Sequence, residues 1–100
     1  MRLRNVKGAS AKIEASKYII NDYKSYFGKY KELFNNDNPI CIEIGMGKGD
    51  FIKEIALNNS NINYIGIEKY DSVIVRAVEK LEDRNLNNLK LIKMGARYID

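Results

Sequence analysis

The chain has 100 residues, 45% apolar and 30% charged, with a net charge of +4; that is room for one small domain with a core and too apolar for a disordered chain. With no histidine and a single cysteine, Cys41, it holds no Cys/His zinc cluster, no histidine-based triad and no internal disulfide. No apolar run approaches the roughly 18 residues of a membrane span, and the first seven residues lack an apolar signal core, so a cytoplasmic protein without membrane contact is expected.

Residues 1–10 read as extended chain. From Ser10 to Phe34, apolar and aromatic residues recur at spacings of three and four (Ile13, Ile20, Tyr23, Phe27, Tyr30, Phe34), a helical pattern. Gly28 and the dense tyrosines leave one long helix and two shorter ones both open. Asn35-Asn-Asp-Asn-Pro39 breaks the pattern and divides a basic arm and helical segment, 1–38, from a core, 39–100. Ile40–Ile44 reads as a strand, apolar on both faces apart from Glu43, as buried parallel strands are. Cys41 within it is expected to be a small buried residue. Asp50–Asn58 reads as a helix burying Phe51, Ile52, Ile55, Ala56 and Leu57. After a loop at 58–61, Ile62–Glu68 is the second strand. Ser72–Asp83 is a second helix, with Ser72 as its N-cap and Val73, Ala77, Val78 and Leu81 turned inward. Beyond the loop 85–88, Leu89–Met94 is a third strand. The sum is β-α-β-α-β, an α/β fold that forms half of a doubly wound sheet behind an N-terminal helical segment. Such a half-sheet leaves the first strand with an open, isoleucine-rich edge that holds no proline or lysine. A fragment of a longer protein, a homo-oligomer or a covering chain at that edge is therefore expected.

The chemistry concentrates where the first strand ends, in Glu43-Ile-Gly-Met-Gly-Lys-Gly49. Glycine lets a backbone turn tightly and approach a ligand. Gly45 and Gly47 fit that role, and Gly49 fits close helix packing or helix entry. A dinucleotide fingerprint would need glycine at 50, where this chain has Asp50, and no Gly-Lys-Ser/Thr follows to make a phosphate loop. Gly-x-Gly-x-Gly after an acid-bearing strand is instead the pattern of S-adenosylmethionine-dependent methyltransferases. That cofactor has no pyrophosphate to cradle, and its sulfonium and ammonium favour a nearby carboxylate. Glu43 is the first candidate for that carboxylate, or else it caps backbone amides of the turn. Glu68 ends the second strand about twenty residues after Gly45, where an acid accepts hydrogen bonds from a ribose diol; the other reading is an ion pair with Lys69. Charge is uneven as well. Residues 1–34 hold eight Lys/Arg against three Asp/Glu, and the remainder nine against ten. A basic arm beside a neutral core suits a polyanion such as nucleic acid, or is a solvated lysine-rich face.

Glu43-Ile-Gly-Met-Gly-Lys-Gly-Asp-Phe51 followed by Tyr64-Ile-Gly-Ile-Glu-Lys-Tyr70 resembles the bacterial tRNA (guanine-N7-)-methyltransferases, as do the opening Met-Arg-Leu-Arg and the Asn38-Pro39 pair. The resemblance covers nearly the whole chain. It implies a Rossmann-like class I methyltransferase fold and methyl transfer from S-adenosyl-L-methionine to N7 of a guanine in the tRNA variable region. Residues 39–100 would be the cofactor-binding half, with Glu43, Glu68 and the backbone of Gly45, Gly47 and Gly49 on the cofactor. The family's Asp or Asn after the third strand is replaced here by Gly95, so the backbone of Gly95 and Ala96 would take its place. Arg2, Arg4 and Lys7, with Lys12 and Lys17, would lie along tRNA phosphates; the other reading is a mobile terminus with no defined contact. Family members continue through a fourth strand ending in Asp-Pro-Trp, which this sequence lacks. Guanine N7 is already nucleophilic and carries no proton, so the reaction chiefly needs in-line placement of a flipped base. The catalytic groups are expected in that missing half, with no metal, and this chain alone is expected to be inactive. The rival readings are another S-adenosylmethionine-dependent methyltransferase and a non-catalytic nucleotide- or RNA-binding fragment.

Overall fold

The computed structural model describes residues 8–47 and 49–94. A short helix α1 (Ala9–Ala15) and two 3-10 turns, Tyr23–Tyr26 and Tyr30–Leu33, precede strand β1 (Ile40–Ile44). Helix α2 (Asp50–Asn58), strand β2 (Asn63–Glu68), helix α3 (Asp71–Leu81) and strand β3 (Leu89–Lys93) follow. The strands form one parallel sheet in the order β1-β2-β3. Register places Glu43 opposite Gly66 and Glu68 opposite Lys93.

Side chains alternate across a strand, and the sheet separates two apolar clusters accordingly. On one face Tyr64, Leu89 and Leu91 pack with Ile52 and Ala56 of α2, Ile74, Val75, Ala77, Val78 and Leu81 of α3, and Ile13 of α1. On the other, Ile65, Ile67, Ile92 and Met94 pack with Phe34 under Ile20, Tyr23, Tyr30 and Leu33. The N-terminal segment is therefore the second cover of the sheet. It also closes an edge: the Ile20 N–H donates to the Leu91 carbonyl at 3.0 Å, and the Leu91 N–H donates to the Tyr18 carbonyl at 2.7 Å. At the lower end of the strands, amide side chains tie the loops together. Asn88 Nδ2 lies 2.9–3.1 Å from the carbonyls of Ala56, Asn59 and Ile62, and Asn63 Nδ2 donates to Asn36 Oδ1 at 2.7 Å.

Several expectations need correction. The helical pattern over 10–34 gives one short helix and two 3-10 turns. Tyr18–Ile20 instead makes an isolated parallel bridge to Leu91 of β3, and Gly28, at φ 76°, takes left-handed backbone between the two 3-10 turns. Tertiary pairing here overrides local periodicity. Cys41 is exposed, because β1 has a neighbour on one side only. In α2, Ile52 and Ala56 are buried, but Phe51 is 62% and Leu57 38% exposed. The positions i, i+3 and i+4 share a face, and 51 and 57 fall beside it. Tyr70, not Ser72, occupies the N-cap of α3, since the chain turns into the helix directly from Glu68. Ile74 and Val75 are buried there and Val73 only half so.

Candidate cofactor site

The site is built where the parallel strands end. Gly45 and Gly47 take left-handed backbone, at φ 69° and 64°, which glycine adopts without steric cost. The N–H groups of Gly45 and Met46 both donate to the Ile67 carbonyl, at 2.8 and 3.2 Å, so the turn is bonded to β2 as it leaves β1. Gly49, at φ 85°, is the N-cap of α2. A Cβ at Gly49 would stand 2.7 Å from Ala77 Cβ and 3.2 Å from Ala77 Cα, so α2 and α3 meet at a contact that no other residue allows. The expectation of close helix packing at this glycine describes that geometry. Lys80 reaches from α3 to Asp50 at 2.7 Å and ties the same two elements.

Glu68 closes β2 and is 8% exposed. Its Oε2 accepts the N–H groups of Lys69 at 3.1 Å and Tyr70 at 3.3 Å. The carboxylate is thus held by backbone amides rather than by an ion pair with Lys69, whose ammonium stands 4.9 Å from the centre of the Tyr70 ring. A cleft of about 300 Å³ opens there, lined by Ile44, Gly45, Ile67, Glu68, Lys69, Tyr70 and Met94. It lies across the carboxyl ends of all three strands, where open α/β sheets bind ligands. A larger hollow of about 430 Å³ lies around Lys17, Asn36, Asn87 and Lys90; it contains none of the glycine or acid positions, so size is a poor guide here.

Of the expected residues, Gly45 and Glu68 come together in the cleft. Gly47 and Gly49 shape the turn beside it. Glu43 is half-buried in the middle of β1, on the Gly66 side of the sheet, and does not line the cleft. The edge position lets water reach this carboxylate, which removes much of the cost of an acid in an apolar strand. Gly95, Ala96, Arg2, Arg4, Lys7 and Lys48 lie outside the described residues. Ile44, Lys69, Tyr70 and Met94 escaped the sequence reading. Their signal was positional, since each adjoins the end of a predicted strand. Among the described residues no cluster of acidic or cysteine side chains could hold a metal, and no helix is long and apolar enough to cross a membrane.

The chain has relatives. A family described as "Putative methyltransferase" matches residues 37–99. The chain is 50% identical over 99 residues to a tRNA (guanine-N(7)-)-methyltransferase of Lachnoclostridium phytofermentans, covering 99% of this chain and 46% of that protein. It is 52% identical over 98 residues to a protein of the same name from Geobacillus sp. (strain WCH70), covering 97% and 44%. The chain thus spans a little under half the length of these relatives. A solved structure titled as an antibiotic related methyltransferase superposes with a TM-score of 0.62 at 22% identity, over 73% of this chain and 38% of that one, a likeness of fold.

Proposed function

Because the chain belongs to the methyltransferase family matched over residues 37–99 and has a Rossmann-like α/β fold, we propose that it is the cofactor-binding half of a tRNA (guanine-N7-)-methyltransferase. In this reading residues 39–100 bind S-adenosyl-L-methionine, and residues 1–38 form a basic arm and helical segment whose Arg2, Arg4 and Lys7 contact tRNA in the cytoplasm. The observation that carries it is Glu68, a buried carboxylate at the mouth of a cleft beside a glycine turn. Both of its backbone bonds fall on Oε2, so Oε1 is the oxygen offered to the two hydroxyls of a ribose. Charge-assisted bonds of that kind are roughly twice as strong as neutral ones. Tyr70, 45% exposed beside the cleft, supplies an aromatic surface for the base. Gly45 and Gly47 leave room for the methionine part of the cofactor, and Gly95 and Ala96, outside the described residues, remain the candidates for backbone contact with it. Glu43 serves the sulfonium or ammonium through water rather than by contact. The bound cofactor supplies the electrophilic methyl group; the residues here hold and orient it. The groups that place guanine would come from the rest of the protein or from a second copy, seated on the open edge of β1.

The test is calorimetric titration of S-adenosylhomocysteine into the protein, with NAD as control and Glu68→Ala alongside. Binding without NAD binding, weakened at least tenfold by Glu68→Ala, is expected; losing two hydrogen bonds to a charged acceptor accounts for that much. NAD binding, or S-adenosylhomocysteine binding indifferent to Glu68→Ala, would sink the assignment. Methylation of guanine N7 in tRNA by the whole protein, and not of other substrates, would separate the RNA enzyme from other methyltransferases.

A further inference from the structure

Gly66 lies in the middle of β2 with an ordinary strand backbone, so its φ does not call for glycine. Its surroundings do. A Cβ added there would stand 2.5 Å from Met46 Sδ, 2.8 Å from Ile52 Cδ1 and 3.2 Å from Leu91 Cδ2. The missing methyl leaves a notch in the sheet, and the tips of Met46 and Ile52 occupy it. Glycine within a strand commonly marks such a close approach.

Met46 is the residue between the two left-handed glycines of the turn and is 7% exposed. Its side chain points down onto β2, away from the ligand side. An unbranched thioether suits a narrow notch. The turn is therefore held against β2 in two ways: by the N–H bonds of Gly45 and Met46 to Ile67, and by the Met46 side chain seated over Gly66. Resting on the cofactor reading above, we propose that Gly66 is a positioning residue for the methyl donor. Through Met46 it sets how deeply the glycine turn sits on the sheet, and hence the shape of the surface that meets the donor, without touching the donor itself.

The two closest atoms to an added Cβ are the ends of flexible side chains, so Gly66→Ala displaces the tips of Met46 and Ile52 rather than the strand. The expected signature is impaired donor binding in a folded protein. Wild type, Gly66→Ala, Met46→Ala and the double variant are titrated with S-adenosylhomocysteine, with thermal unfolding alongside, and the whole protein is assayed with tRNA as acceptor for kcat and for the KM of the methyl donor. Gly66→Ala is expected to weaken binding roughly tenfold, as a sub-ångström displacement of a binding surface does. It should raise the KM for the donor more than it lowers kcat, and unfolding should stay cooperative. The double variant should lose less than the two single losses combined, because a shortened residue 46 removes the closer of the two clashes and leaves only that with Ile52. Wild-type affinity in folded Gly66→Ala, or strictly additive losses, would overturn the positioning role. Should Gly66→Ala fail to fold, Met46→Ala carries the same test: weaker binding with the fold retained supports the role, and unchanged binding overturns it. No binding by wild type would instead remove the cofactor reading, and this inference with it.

Discussion

The two outer strands of the sheet are alike in sequence and unlike in their surroundings. β3 has its outer edge bonded to Tyr18 and Ile20, and Leu89, Leu91 and Ile92 are fully buried. β1 is an isoleucine-rich strand of the same length, yet no described residue pairs with its far side, and Ile42 and Ile44 are 41% and 54% exposed. The closed edge is shut by the chain's own N-terminal segment. The open edge belongs to the strand that leads into the glycine turn. Apolar character alone therefore does not decide burial; what matters is which edge has a partner.

A pair of truncations tests this contrast most strongly. Leu91→Ala removes a fully buried side chain and should cost about 2–5 kcal/mol, whereas Ile42→Ala should stay within about 0.5 kcal/mol. Urea unfolding of both variants measures the difference; equal losses would mean that β1 is covered in solution. The next effect is at Tyr18, which locks the closing segment. Its hydroxyl donates to the Arg84 carbonyl at 2.8 Å and accepts the Leu86 N–H at 3.0 Å. Tyr18→Phe should cost about 1–2 kcal/mol, because those partners are left without it in a part-buried place. Unaltered stability would show that the segment is held by apolar contact alone.

The smallest effect lies on the surface that joins α1 to α3. Glu79 takes a hydrogen bond from Lys12 at 2.8 Å and another from Arg76 at 2.8 Å. The bond from Lys12, then that from Arg76, holds the Glu79 carboxyl below its usual range, and the bond to Glu79 holds Lys12 above its own. A lowered carboxyl contributes stability that is present above its unfolded pKa and lost as pH falls through its folded value. A raised lysine contributes stability that is present below its unfolded pKa and lost as pH rises through its folded value. The contribution is thus level through neutral pH and disappears at either extreme. Glu79→Gln should remove the dependence on the acid side with only a small change in Tm near pH 7, in keeping with an exposed pair. Thermal unfolding across pH checks it, and an acid-side slope identical to wild type would assign the dependence to other groups.

Much of the core was legible in the chain. Ile40–Ile44 is the first strand with the bounds its pattern predicts, α2 spans the expected 50–58, and the alternation of strands and helices is a parallel α/β sheet. Glu68 and Gly45 meet in one cleft because a parallel sheet brings successive strand ends to the same side, a consequence of topology that spacing alone conveys. The residues before Pro39 were the least legible. Their helical spacing was real, but Tyr18–Ile20 pairs with a strand some seventy residues away, and no local pattern records a distant partner.

The order of elements and the places of the glycines and acids are written in the chain, since these follow from side-chain periodicity and from backbone freedom that each residue carries with it. Only in the folded molecule do residues 18–20 close the edge of β3, is one face of α2 buried, and does position 66 require glycine. Burial and close approach are properties of pairs of residues distant in the chain, and they exist only once the strands have been laid side by side.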